Sequence, residues 1–210
     1  NATFAKNVYA FPVQRVDAEG GAYQLTFPDD NSVAVNLPVN FPYFGKNYAQ
    51  LFLAANGYIS FLNIAAYPGA EQLNFPSLAA HFLLPRVSFC FTDFAPNMGG
   101  EAWMRMLDDR VVITYENMPS WPDSVPTLNV GLSSVQVELF YNGKIRMTYL
   151  ELGVSEAVVG LSDGNGAPRV AARRAVGWAG RCGGTALRRL AHLEPREARH
   201  GDRGADFLAG

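Results

Sequence analysis

VAVNLPVNFPYFGKNYAQLFLAANGYISF, residues 33–61, is the stretch that decides the fold. Val33, Val35 and Leu37 alternate with small or polar residues, the two-residue period of a half-buried strand. An aromatic corner follows at Phe41-Pro42-Tyr43-Phe44-Gly45, and Leu51 to Ala55 resume strand character. Asn56-Gly57 then turns the chain back into Tyr58-Ile59-Ser60-Phe61. Asn-Gly between apolar runs predicts a hairpin, because a type I′ turn needs positive φ at both central residues. Gly45, Asn56 and Gly57 are thus turn positions, and Asn142 and Gly143 make a second Asn-Gly hairpin between residues 133–141 and 144–149.

Outward from this stretch, the same pattern recurs. Residues 8–16 read as an edge strand, since Pro12 removes a ladder donor. Tyr23, Leu25 and Phe27 share one face of the next strand, and residues 86–94, 101–107, 111–115 and 157–161 continue the series. Between them run two long connections, 64–85 and 119–129. The first holds one short helical turn capped by Ser77. About ten short strands punctuated by turns predict an all-β fold, an antiparallel, jelly-roll-like β-sandwich over residues 1–166, with an irregular or partly helical C-terminal tail.

Composition agrees. Of 210 residues, 49% are hydrophobic and only 17% charged, ample for a core, and 14 Phe with 9 Tyr favour strands. A net charge of −2 carries no nucleic-acid signature, and no apolar run reaches about 18 residues, so no membrane span is expected. Cys90 sits in an apolar strand run and reads as a buried thiol rather than a partner of Cys182. The chain opens without Met or an apolar leader, as a mature or trimmed product would, and Asn1-Ala2-Thr3 matches a glycosylation sequon.

After Gly166 the composition changes. Residues 167–210 hold nine Arg, no Lys and four acids, a charge of +5 against −7 for the residues before them. Three readings stand side by side: a basic tail for an acidic surface, a helix over 185–197 with Leu187, Leu190 and Leu193 as its stripe, or translation of a shifted frame in a GC-rich gene, the origin that the Ala, Gly and Arg bias favours.

Catalytic chemistry finds little support. His81 is the only histidine before the tail, and it reads as a packing residue beside Phe82 and Leu83. No Gly-x-Ser-x-Gly elbow presents a serine, and two distant cysteines cannot supply a zinc site. Asp108-Asp109 reads as turn chemistry. A hydrolase or lyase on this scaffold would need Arg105, Glu116, Glu138 and Arg146 on one concave face. Asp93 reads first as a loop cap; with Asn97 and Glu101 it is also a candidate for an oxygen-only calcium site. Trp103 and Trp121, with Tyr67 nearby, would form a carbohydrate platform if both indoles faced outward; packing on the sandwich is the plainer reading.

The order of motifs carries a resemblance: FPYFGKNY (41–48), LFLAANGYISF (51–61), FTDFAPNMGG (91–100), RVVITYENMP (110–119), VQVELFYNGKIRMTY (135–149) and VGLSDG (159–164). Over residues 37–164 this resembles nidogen-type (NIDO-like) extracellular β modules of large secreted and surface proteins. Where those modules have an acidic pair, this chain has Thr92-Asp93. The resemblance implies a non-catalytic extracellular or cell-surface module, in adhesion or matrix assemblies, contacting other protein chains or its own copies. Its long loops would face the partner, and carbohydrate is the alternative ligand.

Overall fold

The computed structural model describes residues 3–6, 10–17, 20–67, 76–121, 131–154, 156–166, 173–176 and 189–193. In chain order the elements are β1 (Thr3–Lys6), β2 (Val16–Asp17), β3 (Gly20–Gly21), β4 (Tyr23–Leu25), β5 (Ser32–Tyr43), β6 (Lys46–Ala54), β7 (Tyr58–Ser60) and α1 (Leu78–Leu83). There follow β8 (Pro85–Phe91), β9 (Glu101–Met106), β10 (Arg110–Pro119), β11 (Leu132–Phe140), β12 (Ile145–Glu151), β13 (Glu156–Asp163), β14 (Arg173–Val176) and β15 (Arg189–Leu193).

The strands form the antiparallel sandwich that their alternation predicts. One sheet has the order β1-β15-β12-β11-β10-β9-β4, the other β14-β13-β8-β7-β6-β5, and β2 pairs with β3 alone. Each sheet is built on a four-strand meander, β5 to β8 in one and β9 to β12 in the other, and crossovers set β4 beside β9, β15 beside β12 and β13 beside β8. The strap over residues 10–15 departs from the strand expected at 8–16, and residues 7–9 lie outside the described ones. Beyond Gly166, β14 extends one sheet and β15 the other. Residues 189–193 are therefore strand, not part of a helix over 185–197. Cys90 is a buried free thiol whose pKa burial pushes up to about 12; Cys182 lies outside the described residues.

Between the sheets lies one large apolar core, with Leu51, Leu53, Ile59, Val87 and Phe89 from one side and Val111, Ile113, Val135, Val137 and Met147 from the other. Tyrosines pin the two sheets together. Tyr115 donates across the core to the carbonyl of Ala54 (2.7 Å), and Tyr149 to that of Phe89 (2.6 Å). Buried hydroxyls need such partners, and these find them in backbone that sheet pairing leaves with a spare lone pair.

The turns form where the sequence places them, with a different geometry. The turn with positive φ at both central residues is Phe44-Gly45 (45° and 75°), joining Tyr43 directly to Lys46. At Asn56-Gly57 only Gly57 has positive φ (74°), and three residues separate the paired Ala54 and Tyr58. Asn142-Gly143 repeats this, with Gly143 at 88°. Both Asn-Gly hairpins are thus three-residue loops ending on a left-handed glycine, not type I′ turns.

Asn56 has other work. Its side chain donates to Asp30 Oδ1 (2.8 Å) and accepts from the Phe94 backbone N–H (3.1 Å), while the Gly57 carbonyl accepts from Phe89 and Cys90. The Phe41 and Tyr43 rings pack on Phe61 at 5.6 and 4.5 Å, so residues 33–61 supply the aromatic corner as well as the hub.

Candidate functional site

Three regions gather the polar and aromatic side chains that could carry function. The first is the outer face of β9–β12. Direct cross-strand pairing places Arg105 beside Val112, Val112 beside Glu138, and Glu138 beside Arg146, with Glu116 two positions further along the same face of β10. The four residues a hydrolase would require do share a face. Their chemistry there is already committed. Glu138 is wholly buried, gripped by Nε and Nη2 of Arg146 and 3.2 Å from Arg110 Nε. Arg110, Arg146 and Lys144 also surround the Phe140 ring at 4.8, 5.4 and 5.6 Å. Glu116 accepts from the Trp103 indole N–H at 3.4 Å, and Glu101, its cross-strand neighbour, is ion-paired with Arg15.

This face is also covered. Phe11 and Val13 bury themselves on it, and the Gln136 amide brackets Val13, accepting from its N–H (3.1 Å) and donating to its carbonyl (2.9 Å). Gln136 donates further to Thr114 Oγ1, and Arg105 donates to the Gln14 carbonyl. Glu116 and Glu138 stand on the outward face of their strands; what alternation cannot see is the strap that returns to Gln136 and Arg105 on the same face.

The second region lies under α1, on the outer face of β7 and β8. Ser77 caps α1 as expected, its Oγ accepting from Ala80 N (3.0 Å). Ala80, Leu84, Ile64, Tyr58 and Phe91 form a second small core there. Within it the Arg86 guanidinium stacks on Tyr58 at 3.8 Å and Phe91 at 5.1 Å. His81 Nδ1 sits 2.8 Å from Ser88 Oγ, with both side chains fully buried. Burial, then the charge of Arg86, lowers the His81 pKa to about 4, and burial lowers that of Arg86 to about 10. A histidine and serine without solvent access are a packing pair, as expected for His81.

The third region is the end of the sandwich where β8 stops. Trp121 N–H donates to the Asp93 carbonyl (2.7 Å), Ala95 N–H to that of Pro119 (2.9 Å), and Phe94 bridges Ser120. A 3₁₀ turn, Pro96–Met98, follows. Asp93, Asn97, Glu101 and Trp121 thus gather near one end, with Met98 and Trp121 exposed (56% and 48%). Of the three calcium candidates, Glu101 is ion-paired with Arg15, and Asp93 and Asn97 share the loop after β8. A cleft of about 110 Å³ lies beside them, lined by Leu25, Phe27, Glu101 and Met118 among others. That is well below the several hundred Å³ of an ordinary ligand pocket.

The carbohydrate platform, the alternative to packing, would need both indoles outward, and only that of Trp121 is exposed. Trp103 is 1% exposed on the outer face of β9, its indole N–H 3.4 Å from Glu116 Oε2. Trp121 stands at the β8 end, whereas exposed Tyr67 follows the Phe61–Pro85 backbone contact at the β8 start. Residues 68–75 and 122–130 of the two long loops lie outside the described residues. Among the described residues no helix is long and apolar enough to cross a membrane.

A family model described as NIDO related matches residues 3–176. No curated protein and no solved structure matches.

Proposed function

Because the chain belongs to the NIDO-related family, we propose that it is a non-catalytic extracellular module whose task is contact with other protein chains in a surface or matrix assembly. The observation that carries this reading is the sandwich end at Asp93–Trp121. There a backbone-bonded loop pair holds Met98 and Trp121 out to solvent on a frame pinned by Tyr115 and Tyr149. Large apolar side chains on rigidly held loops are what protein interfaces use as anchors. The acid and base groups are spent elsewhere: Glu138 and Glu101 on arginines, His81 in a sealed core. That is the reason to favour contact over hydrolysis.

A photo-crosslinking residue at Met98 or Trp121 tests the proposal in the secreted parent protein. The expected result is a covalent link to another polypeptide in the extracellular fraction, absent when the label sits in the Asp108-Asp109 turn. Failure to reach the extracellular fraction, or equal labelling from all three positions, overturns it. Trp121 alone keeps a carbohydrate reading in play, and glycan binding abolished by Trp121→Ala would select that reading instead.

A further inference from the structure

Free sheet edges are hazards that proteins blunt with charge, proline or brevity. Among the described residues, β4 ends its sheet and is three residues long, while β14, at one edge of the other sheet, carries Arg173 and Arg174. The opposite edge of that sheet, β5, is twelve residues long, and none of them is Asp, Glu, Lys or Arg.

The Asn31 carbonyl accepts from Ala55 N–H (2.8 Å), and the register continues Ser32 opposite Ala54, Val33 opposite Leu53, Val35 opposite Leu51. Hydrogen-bonded pairs alternate in an antiparallel ladder, so Val33 and Val35 bond to β6 while Ser32, Ala34 and Asn36 turn their N–H and C=O groups away from it. The Ser32 N–H confirms this phase: it is satisfied by its neighbour's side chain, Asn31 Oδ1, at 2.7 Å. At the other end Pro38 has no N–H to offer. What remains is a short run of donors and acceptors at Ala34 and Asn36.

We propose that β5 is a self-pairing edge, docking antiparallel on residues 32–38 of a second copy of this chain with Val35 opposite Val35. The proposal rests on the protein-contact reading above and names a partner for it. In this register Ala34 faces Asn36 of the second copy, each donating its N–H to the other's carbonyl, and the two-fold axis repeats the exchange for four main-chain bonds. Ser32 falls opposite Pro38, where neither has an N–H to give. Sliding by two residues brings Pro38 opposite Ala34, or Ser32 opposite Asn36, and takes the two-fold axis off the Val35 pair, so crosslinking at position 35 reads the register directly. Val33 meets Leu37 on the core side, where both are already packed against the core, so the apolar stripe continues across the junction. On the outer side Asn36 already accepts from Gln50 (2.9 Å), which holds its amide in line. With no charge along the strand, two identical edges meet without repulsion.

So small a contact is weak by itself and gains strength by repetition along a larger assembly. Sedimentation equilibrium of the full 210-residue chain up to about 1 mM covers the range expected of a small interface. The expected result is a reversible monomer–dimer equilibrium that Asn36→Pro removes, since its lost N–H faces away from β6 and the fold is spared. If Asn36→Pro lowers the melting temperature, Ala34→Lys on the exposed outer face carries the same test. In a Cys182→Ser background, Val35→Cys should form an intermolecular disulfide on mild oxidation, because directly opposed residues that are not hydrogen-bonded stand within disulfide reach. Tyr23→Cys on the β4 edge should not. A wild-type chain monomeric throughout, an unchanged dimerisation constant in both edge variants, or equal crosslinking at positions 23 and 35 overturns the proposal. A monomeric chain that still crosslinks another polypeptide through Trp121 would sink self-pairing alone and leave the contact function standing.

Discussion

Taking the solution from pH 7.5 to 4.5 should cost this fold about 2–3 kcal/mol through one side chain, His81. The ring is fully buried beneath α1, 2.8 Å from Ser88 Oγ and edge-on to Phe82 at 4.8 Å. Burial is the main cause of its pKa falling from 6.5 to about 4; the Arg86 charge adds to it, and the Leu161 carbonyl opposes. In the unfolded chain the same imidazole titrates near its ordinary value. Between about pH 6.5 and 4 the unfolded state therefore binds the extra proton, and stability rises with pH across that window. The contribution is complete above 6.5 and is lost as pH falls toward about 4. A gap of about 2.5 units at 1.36 kcal/mol each sets a ceiling of about 3 kcal/mol, most of it spent by pH 4.5. Urea unfolding at four pH values, run in parallel on His81→Gln, isolates the effect, since carboxylates common to both chains cancel in the difference. If both chains lose stability equally with acid, to within about 0.5 kcal/mol, His81 is not held neutral and the argument fails.

Other expectations follow from the turns, the tyrosines and the strap. Gly57→Ala places a Cβ 2.1 Å from the Cys90 carbonyl oxygen at a φ of +74°, and should cost about 3 kcal/mol or more, whereas Gly45→Ala, at +75° with open space around it, should cost about 1 kcal/mol. Calorimetric melting of the two variants separates collision from backbone strain; equal losses would deny the packing of the Asn56-Gly57 turn. Tyr115→Phe and Tyr149→Phe should each lose about 1–2 kcal/mol in urea unfolding, as their hydroxyls bond the carbonyls of Ala54 and Phe89. Gln136→Ala removes both bonds that bracket Val13 and should speed proteolysis within residues 10–15 and amide exchange at Val13, while protection in β10 and β11 persists.

The strands were legible because each buries one face and so writes an alternation that needs no partner to be read, as at Val33, Val35, Leu37 and at Val135, Val137, Leu139. Ser77 as a cap was legible for the same local reason. The turn type was not. Asn56 avoids positive φ because its side chain serves Asp30 and Phe94, contacts 26 and 38 residues away that no dipeptide rule contains. Phe44 takes the left-handed position usually left to Asn or Gly, with its ring set edge-on to Tyr43 at 4.8 Å. Trp103, Gln136 and Glu138 are buried on a strand face that alternation assigns to solvent, and the Val13 backbone that returns to Gln136 comes from 123 residues away, which no local pattern contains. The Asp93, Asn97 and Trp121 neighbourhood was half legible: Asp93 and Asn97 share one loop, but Trp121 joins them through a backbone bond across 28 residues.

The tyrosine pins carry a consequence for how such a chain can drift. Each hydroxyl is received by a peptide carbonyl, a group that every amino acid brings with it. Replacing Ala54 or Phe89 by any residue that fits its space leaves the acceptor in place, whereas replacing Tyr115 or Tyr149 deletes the donor outright. The join between the sheets thus charges its whole sequence requirement to one side. A library randomised at 54, 89, 115 and 149 and selected for folding should tolerate varied apolar residues at the first two positions and return tyrosine at the last two.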